Sequence, residues 1–140
     1  MATLAQVRAG IRTVLEAAIP TLTVYPYLDS VVTLPAAVVM VGDGVDYRST
    51  SGRSHMEWPI DLIVMTSKAL VAPGQIDLDE LIDIDGDKSI PRALFDSDLG
   101  LPHTQAHVAY LRDYGGQWEA AGDDHIGAVL RVPVHTRGAF

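Results

Sequence analysis

From Leu4 onward, apolar residues recur at three- and four-residue steps: Leu4, Val7, Ile11, Val14, Leu15 and Ala18. That spacing forms one stripe along a helix and leaves Arg8, Arg12 and Glu16 on the wet side. Thr3 and Gln6 stand at capping-box spacing, and Pro20, with no N–H to donate, ends the segment. The period then shortens to two. Thr21 to Tyr27 is β-branched and aromatic and predicts a first strand, with Pro26 at an edge or at its end. Leu28 to Pro35 is a connection, and Ala36 to Val41 a second strand.

Met56 to Thr66 is the stretch around which the sheet is organised. One face carries Met56, Trp58, Ile60, Leu62 and Val64; the other carries Glu57, Pro59, Asp61, Ile63 and Met65. A continuous apolar face beside a mixed one predicts helices on one side of the sheet and partial cover on the other. Pro59 cannot donate to a ladder, so it predicts an edge strand or a bulge near the start. The second and third strands are expected to pair as an antiparallel hairpin at the sheet's centre. Their connection, Gly42 to Ser54, is thirteen residues long and rich in Gly and Ser. Loops of that length tend to be functional or flexible.

Further on, Ala72-Pro73-Gly74 reads as a turn. Ile76, Leu78, Leu81 and Ile82 then predict a short amphipathic helix, although Ile76, Leu78, Ile82 and Ile84 also fit a strand, and Gly86 breaks the pattern. Ser89 is placed as an N-cap with Pro91 just inside a second short helix, before a turn at Leu99-Gly100. Thr104 to Arg112 and Ile126 to Arg137 predict two more strands. Between them lie turn signals at Gly115-Gly116 and Gly122-Asp123, with Gln117 to Ala120 as a brief strand. The expected fold is α+β, one domain over residues 1–140. Its mixed, mostly antiparallel sheet has four to five strands, with an N-terminal helix and one or two short helices packed mainly on one face.

Composition changes the picture in three ways. With 140 residues, 48% hydrophobic and 20% charged, the chain has the balance of one globular core. The absence of cysteine excludes disulfides and thiolate metal sites. No apolar run reaches the roughly 20 residues of a membrane span, and no secretory signal is expected. Net charge is −8, a balance that phosphate backbones repel. Between Pro73 and Gly100, eight acids face Lys88 and Arg92, a net −6, so most of the negative charge lies in one helical region. A solvated helix face accounts for such a run by default.

The motifs of catalysis and ligation are missing. An EF-hand counted from Asp83 needs glycine sixth and glutamate twelfth, where Lys88 and Leu94 stand. His103 and His107 have zinc-helix spacing, but Gln105 and Ala106 occupy the interior, the surroundings read as strand, and no third ligand is indicated. No GxSxG, P-loop or dinucleotide fingerprint occurs. Asp61 has no evident acid or base partner, and His55, His125 and His135 read as surface residues near strand ends. Catalytic, cofactor and metal residues are therefore expected to be none.

Several phrases resemble the tail terminator family of long-tailed bacteriophages, particularly the small proteins encoded among tail genes of actinobacterial phages. They are Val7 to Leu15 leading to Thr23-Val24-Tyr25, Leu34 to Val39, Asp46-Tyr47 with Gly52-Arg53, and Trp58 to Val64. Leu78 to Leu94 and Ile126 to Val134 complete the likeness, which covers nearly the whole chain. The acidic stretch from Asp79 and Pro59 in the third strand depart from it. The resemblance implies a non-enzymatic ring, typically a homohexamer, at the head-proximal end of the virion tail. Its implied partners are further copies of itself, the tail tube protein and a head-completion or connector protein, without cofactor, sequence-specific nucleic acid or membrane. A capping ring works through buried contacts between two different faces of each subunit. The acidic flank and the Gly42–Ser54 loop are candidates for those faces, with Asp46, Tyr47, Arg48 and Arg53 as contact residues. Another head–tail joining protein, or a small-ligand-binding or enzymatic α+β domain, is the alternative reading.

Overall fold

The computed structural model describes residues 2–27, 33–42, 44–45, 55–66, 72–120 and 123–137. Helix α1 runs Leu4–Ala18 behind a complete capping box: Thr3 Oγ1 accepts from the Gln6 N–H, and Gln6 Oε1 accepts from the Thr3 N–H. Val7, Ile11 and Leu15 are its buried ridge. Strands β1 (Thr23–Tyr25), β2 (Ala36–Val41) and β3 (His55–Met65) follow. Helices α2 (Ala72–Ile82) and α3 (Ile90–Ala93) come next, then β4 (Thr104–Ala106), β5 (Tyr110–Ala120) and β6 (Asp123–Arg137). The class is α+β, with a six-stranded sheet in which β1 and β2 are parallel and every other pair is antiparallel.

The order across the sheet is β1-β2-β3-β6, and β4 and β5 then share the outer edge of β6 end to end. The centre is therefore the β3–β6 pair, in register from His55↔Arg137 to Met65↔Gly127, with β2 on the far side of β3. Pairing with β6 places β3 inside the sheet, not at an edge. Pro59 is tolerated there because its nitrogen points past the end of β2, where Gly42 N–H donates to Pro59 O at 2.6 Å. Its cross-strand partner is a second proline, Pro133. That residue's nitrogen points the other way, into the gap between the stretches of β6 paired with β4 and with β5.

The core lies between the sheet and the helices. Ile60, Leu62 and Val64 of β3 meet Leu130, Val132 and Val134 of β6, under Ile11 and Leu15 of α1 and Leu78 of α2. A small second cluster of Ala36, Val38 and Met65 forms on the opposite sheet face. Several expectations change in detail. Ala72-Pro73-Gly74 is the first turn of α2, where proline costs nothing, and Thr66 Oγ1 pins Gly74 O at 2.9 Å. The predicted Thr104–Arg112 strand divides into β4 and β5. Gly115-Gly116 lies within β5 as an irregularity between Arg112 and Gly116, with Gly115 at φ +79. Residues 121 and 122 of the second turn lie outside the described residues. Ser89 caps α3 by accepting from Arg92 N–H, as expected.

Candidate functional site

The four contact residues expected from the sequence, Asp46, Tyr47, Arg48 and Arg53, lie outside the described residues. The root of their loop is described, and at Gly42 it borders a polar cluster of the sheet. Asp61 of β3 is 6% exposed on the face away from the helices. Alternation along the strand puts it there, and register places Arg131 of β6 directly opposite. Arg131 Nε donates to Asp61 Oδ1 at 2.6 Å, and Arg112 Nη2 of β5 donates to Oδ2 at 2.8 Å. Arg131 also lies 5.8 Å from the Tyr110 ring. The Asp61 hydrogen bond holds the Arg112 guanidinium above its usual pKa, with the Asp61 and Asp113 charges adding to the effect and desolvation opposing it. Gly42 closes over this cluster. A Cβ there would come within 2.9 Å of the Arg131 guanidinium. Asp61 thus has partners that the sequence did not suggest.

The histidines are also redistributed. His55 and His135 stack with centroids 5.5 Å apart, and His107 stacks on the other side of His135 at 6.3 Å. His103 sits in the turn before β4 at φ +54. His125 is buried, not superficial. The sequence spacing of His103 and His107 hid the true neighbours, because β6 must be paired with β3 before His55 and His135 share a face. Among the described residues, no group of three or more His, Cys, Asp or Glu could hold a metal ion. The Asp83–Asp87 turn uses its carboxylates locally: Asp83 accepts from Ile84 N–H, Asp85 accepts from Gly86 N–H, and Arg92 lies 3.5 Å from Asp85.

On the helix side, Ile84 and Phe95 stand 83% and 78% exposed. With Pro91 and Val108 they line an open groove of about 740 Å³, rimmed by Arg92, Asp96 and His107. Arg8, expected on the wet side of α1, instead donates to Pro26 O and Val39 O and covers Tyr27, tying the helix to the ends of β1 and β2. Among the described residues no helix is long and apolar enough to cross a membrane. The site these features define belongs to an α+β domain with exposed apolar contacts and a buried ion cluster. No protein-family model and no curated protein sequence matches this chain.

Proposed function

We propose that this chain is a structural phage tail protein, a tail terminator that assembles as a homohexameric ring on the finished tail tube. The ring stops tube polymerisation and presents a surface for head joining, and it does so without catalysis or cofactor. The observation that carries this reading beside the sequence resemblance is the exposure of Ile84 and Phe95, the two most exposed large apolar side chains among the described residues, around one groove. Large apolar side chains grouped at a surface mark a place where another protein sits. The charge distribution supports it too, because a ring needs two unlike faces and the acids are gathered on one helical flank. The Gly42–Ser54 loop is the second contact element in this reading. In that contact Arg48 or Arg53 would meet carboxylates of the neighbour or the tube, with Tyr47 packing.

The experiment is a tail-length assay by electron microscopy. Phage lacking this gene should make overlong, headless tails, and supplying the protein should restore the normal length. Arg48→Glu with Arg53→Glu should fold and fail to restore it. Tails of normal length that lack heads, with binding to purified connector and none to purified tube, would replace this reading by that of another head–tail joining protein.

A further inference from the structure

The central strand pair has chemically different ends. Where β3 begins and β6 finishes, His55, His103, His135 and Arg137 line one pocket of about 530 Å³, with Asp98 on its wall. His135 is stacked between His55 and His107. Glu57 faces it from β3, and Gln105 faces it from β4. Among the described residues, the fixed charges around the imidazoles are therefore Arg137 against Glu57 and Asp98, with Arg92 and Asp96 beside His107.

The other end lies ten strand steps away, about 33 Å at the usual rise per residue. There β3 gives way to α2, pinned by the Thr66–Gly74 hydrogen bond. Leu78 and Leu81 hold α2 to the core, and Asp77, Asp79 and Glu80 are exposed beside Ile76, which is 57% exposed; Glu80 also lies 3.4 Å from Lys88, and Asp79 accepts from Tyr114. One end of the molecule is thus a pocket of titratable cations, and the other is an acidic helix face with an apolar anchor.

We infer that the histidine pocket of one copy receives the acidic face of α2 of a second copy, head to tail, and that proton uptake by the imidazoles tightens the contact. Histidine is the side chain whose charge changes between about pH 5 and 8. Protonating the stacked rings of a free subunit brings like charges together beside Arg137. Carboxylates from a neighbour offset that repulsion, and ordinary Asp and Glu remain ionised down to about pH 5. Binding and protonation are then linked, so each favours the other. Contact between unlike ends of identical chains is heterologous, and it closes into a ring when the rotation permits. The inference deepens the ring reading and rests on it for closure alone.

Sedimentation velocity on the full chain at about pH 5.5 and about pH 8 tests it, with fold checked by circular dichroism. Self-association should tighten by about tenfold or more at the lower pH and weaken with salt. His55→Gln with His103→Gln, both at exposed positions, should weaken the pH dependence to the share carried by His135 and His107. Asp77→Asn with Glu80→Gln should weaken association at both pH values. An equimolar mixture of the two double variants should stop at heterodimers, because only one pairing keeps both intact faces.

Self-association indifferent to pH and to both variants overturns this contact and leaves the ring reading to other faces. A chain monomeric under both conditions also overturns it, as does binding of a polyglutamate peptide without self-association; the tail-length assay then decides the ring reading alone. Association with the expected variant behaviour, in a protein that does not restore tail length, keeps the contact and defeats the ring reading.

Discussion

Replacing Asp61 by Asn tests whether the ion cluster on the open sheet face is structural. The substitution keeps the shape of the side chain and removes its charge. Asp61 and Arg131 side chains are 8% and 15% exposed, so the charge-assisted bond between them would be weakened in a nearly closed setting. The amide NH₂ would also turn a donor toward a guanidinium that has only donors. Breaking one side of a buried pair costs about 3–5 kcal/mol, and the residual exposure of Arg131 sets the expectation at about 2–4. Arg112 is 42% exposed on its side chain and also pairs with Asp113, so Arg112→Ala should have a much smaller effect. The assay is urea unfolding followed by circular dichroism. With a slope of about 1.5–2 kcal/mol/M, the midpoint of Asp61→Asn should fall by about 1–2.7 M. Asp61→Asn combined with Arg131→Met should lose less than the two single changes summed, because the two side chains bond each other directly, and the cycle should give a coupling of about 1–3 kcal/mol. A single-variant loss below about 0.5 kcal/mol with no coupling would refute the reasoning. The cluster would then be a solvated contact.

Three further predictions follow from packing and titration. Leu62→Ala, at a fully buried centre of β3, should lose about 2–5 kcal/mol in the same urea assay; unchanged stability would remove β3 from the core. Gly10→Ala should destabilise by about 1–2 kcal/mol in thermal melts despite a helix-propensity gain of about 1, because overpacking costs more here. Its Cβ would meet Leu99 O at 2.7 Å, and a stabilised variant would show that the Leu99 turn yields freely. Tyr114 donates to Asp79 Oδ1 at 2.5 Å, and chiefly for that reason its pKa is raised above the ordinary 10.0. The raised value means that the bond's stabilisation is fully present below the unfolded pKa and is lost as pH rises through the folded one. Ultraviolet titration should therefore show a late-ionising tyrosine that Asp79→Asn brings back to the ordinary range.

The elements whose stability is local were readable from the chain. Helix α1 carries its cap, stripe and stop within residues 3 to 20, and Ser89 and Pro91 announce α3 in the same way. The two faces of β3 were also legible, since alternation is a property of one strand. What failed depends on a second segment. Pro59 suggests an edge until β2 is known to end beside it and β6 is known to pair with its other side. Asp61 looks unpartnered until the register aligns residue 61 with residue 131. Arg8 reads as solvated because nothing near it in sequence shows that the carbonyls of Pro26 and Val39 will lie within its reach. The proposed loop contacts were legible only as composition and length.

The divided outer edge of the sheet limits how any neighbour can be held. Beyond β6, β4 is three residues long, residues 107–109 separate it from β5, and β5 is irregular between Arg112 and Gly116. At the opposite margin β1 has only three residues. Irregular and short margins are poor templates for adding a strand from another chain. A neighbour gripping such a molecule must therefore be recognised by its side chains. Contacts of that kind are selective and can be loosened by salt or substitution, unlike the sequence-blind zippering of one backbone onto another. Margins of this kind resist fibre growth while the side-chain surfaces remain free to choose a partner.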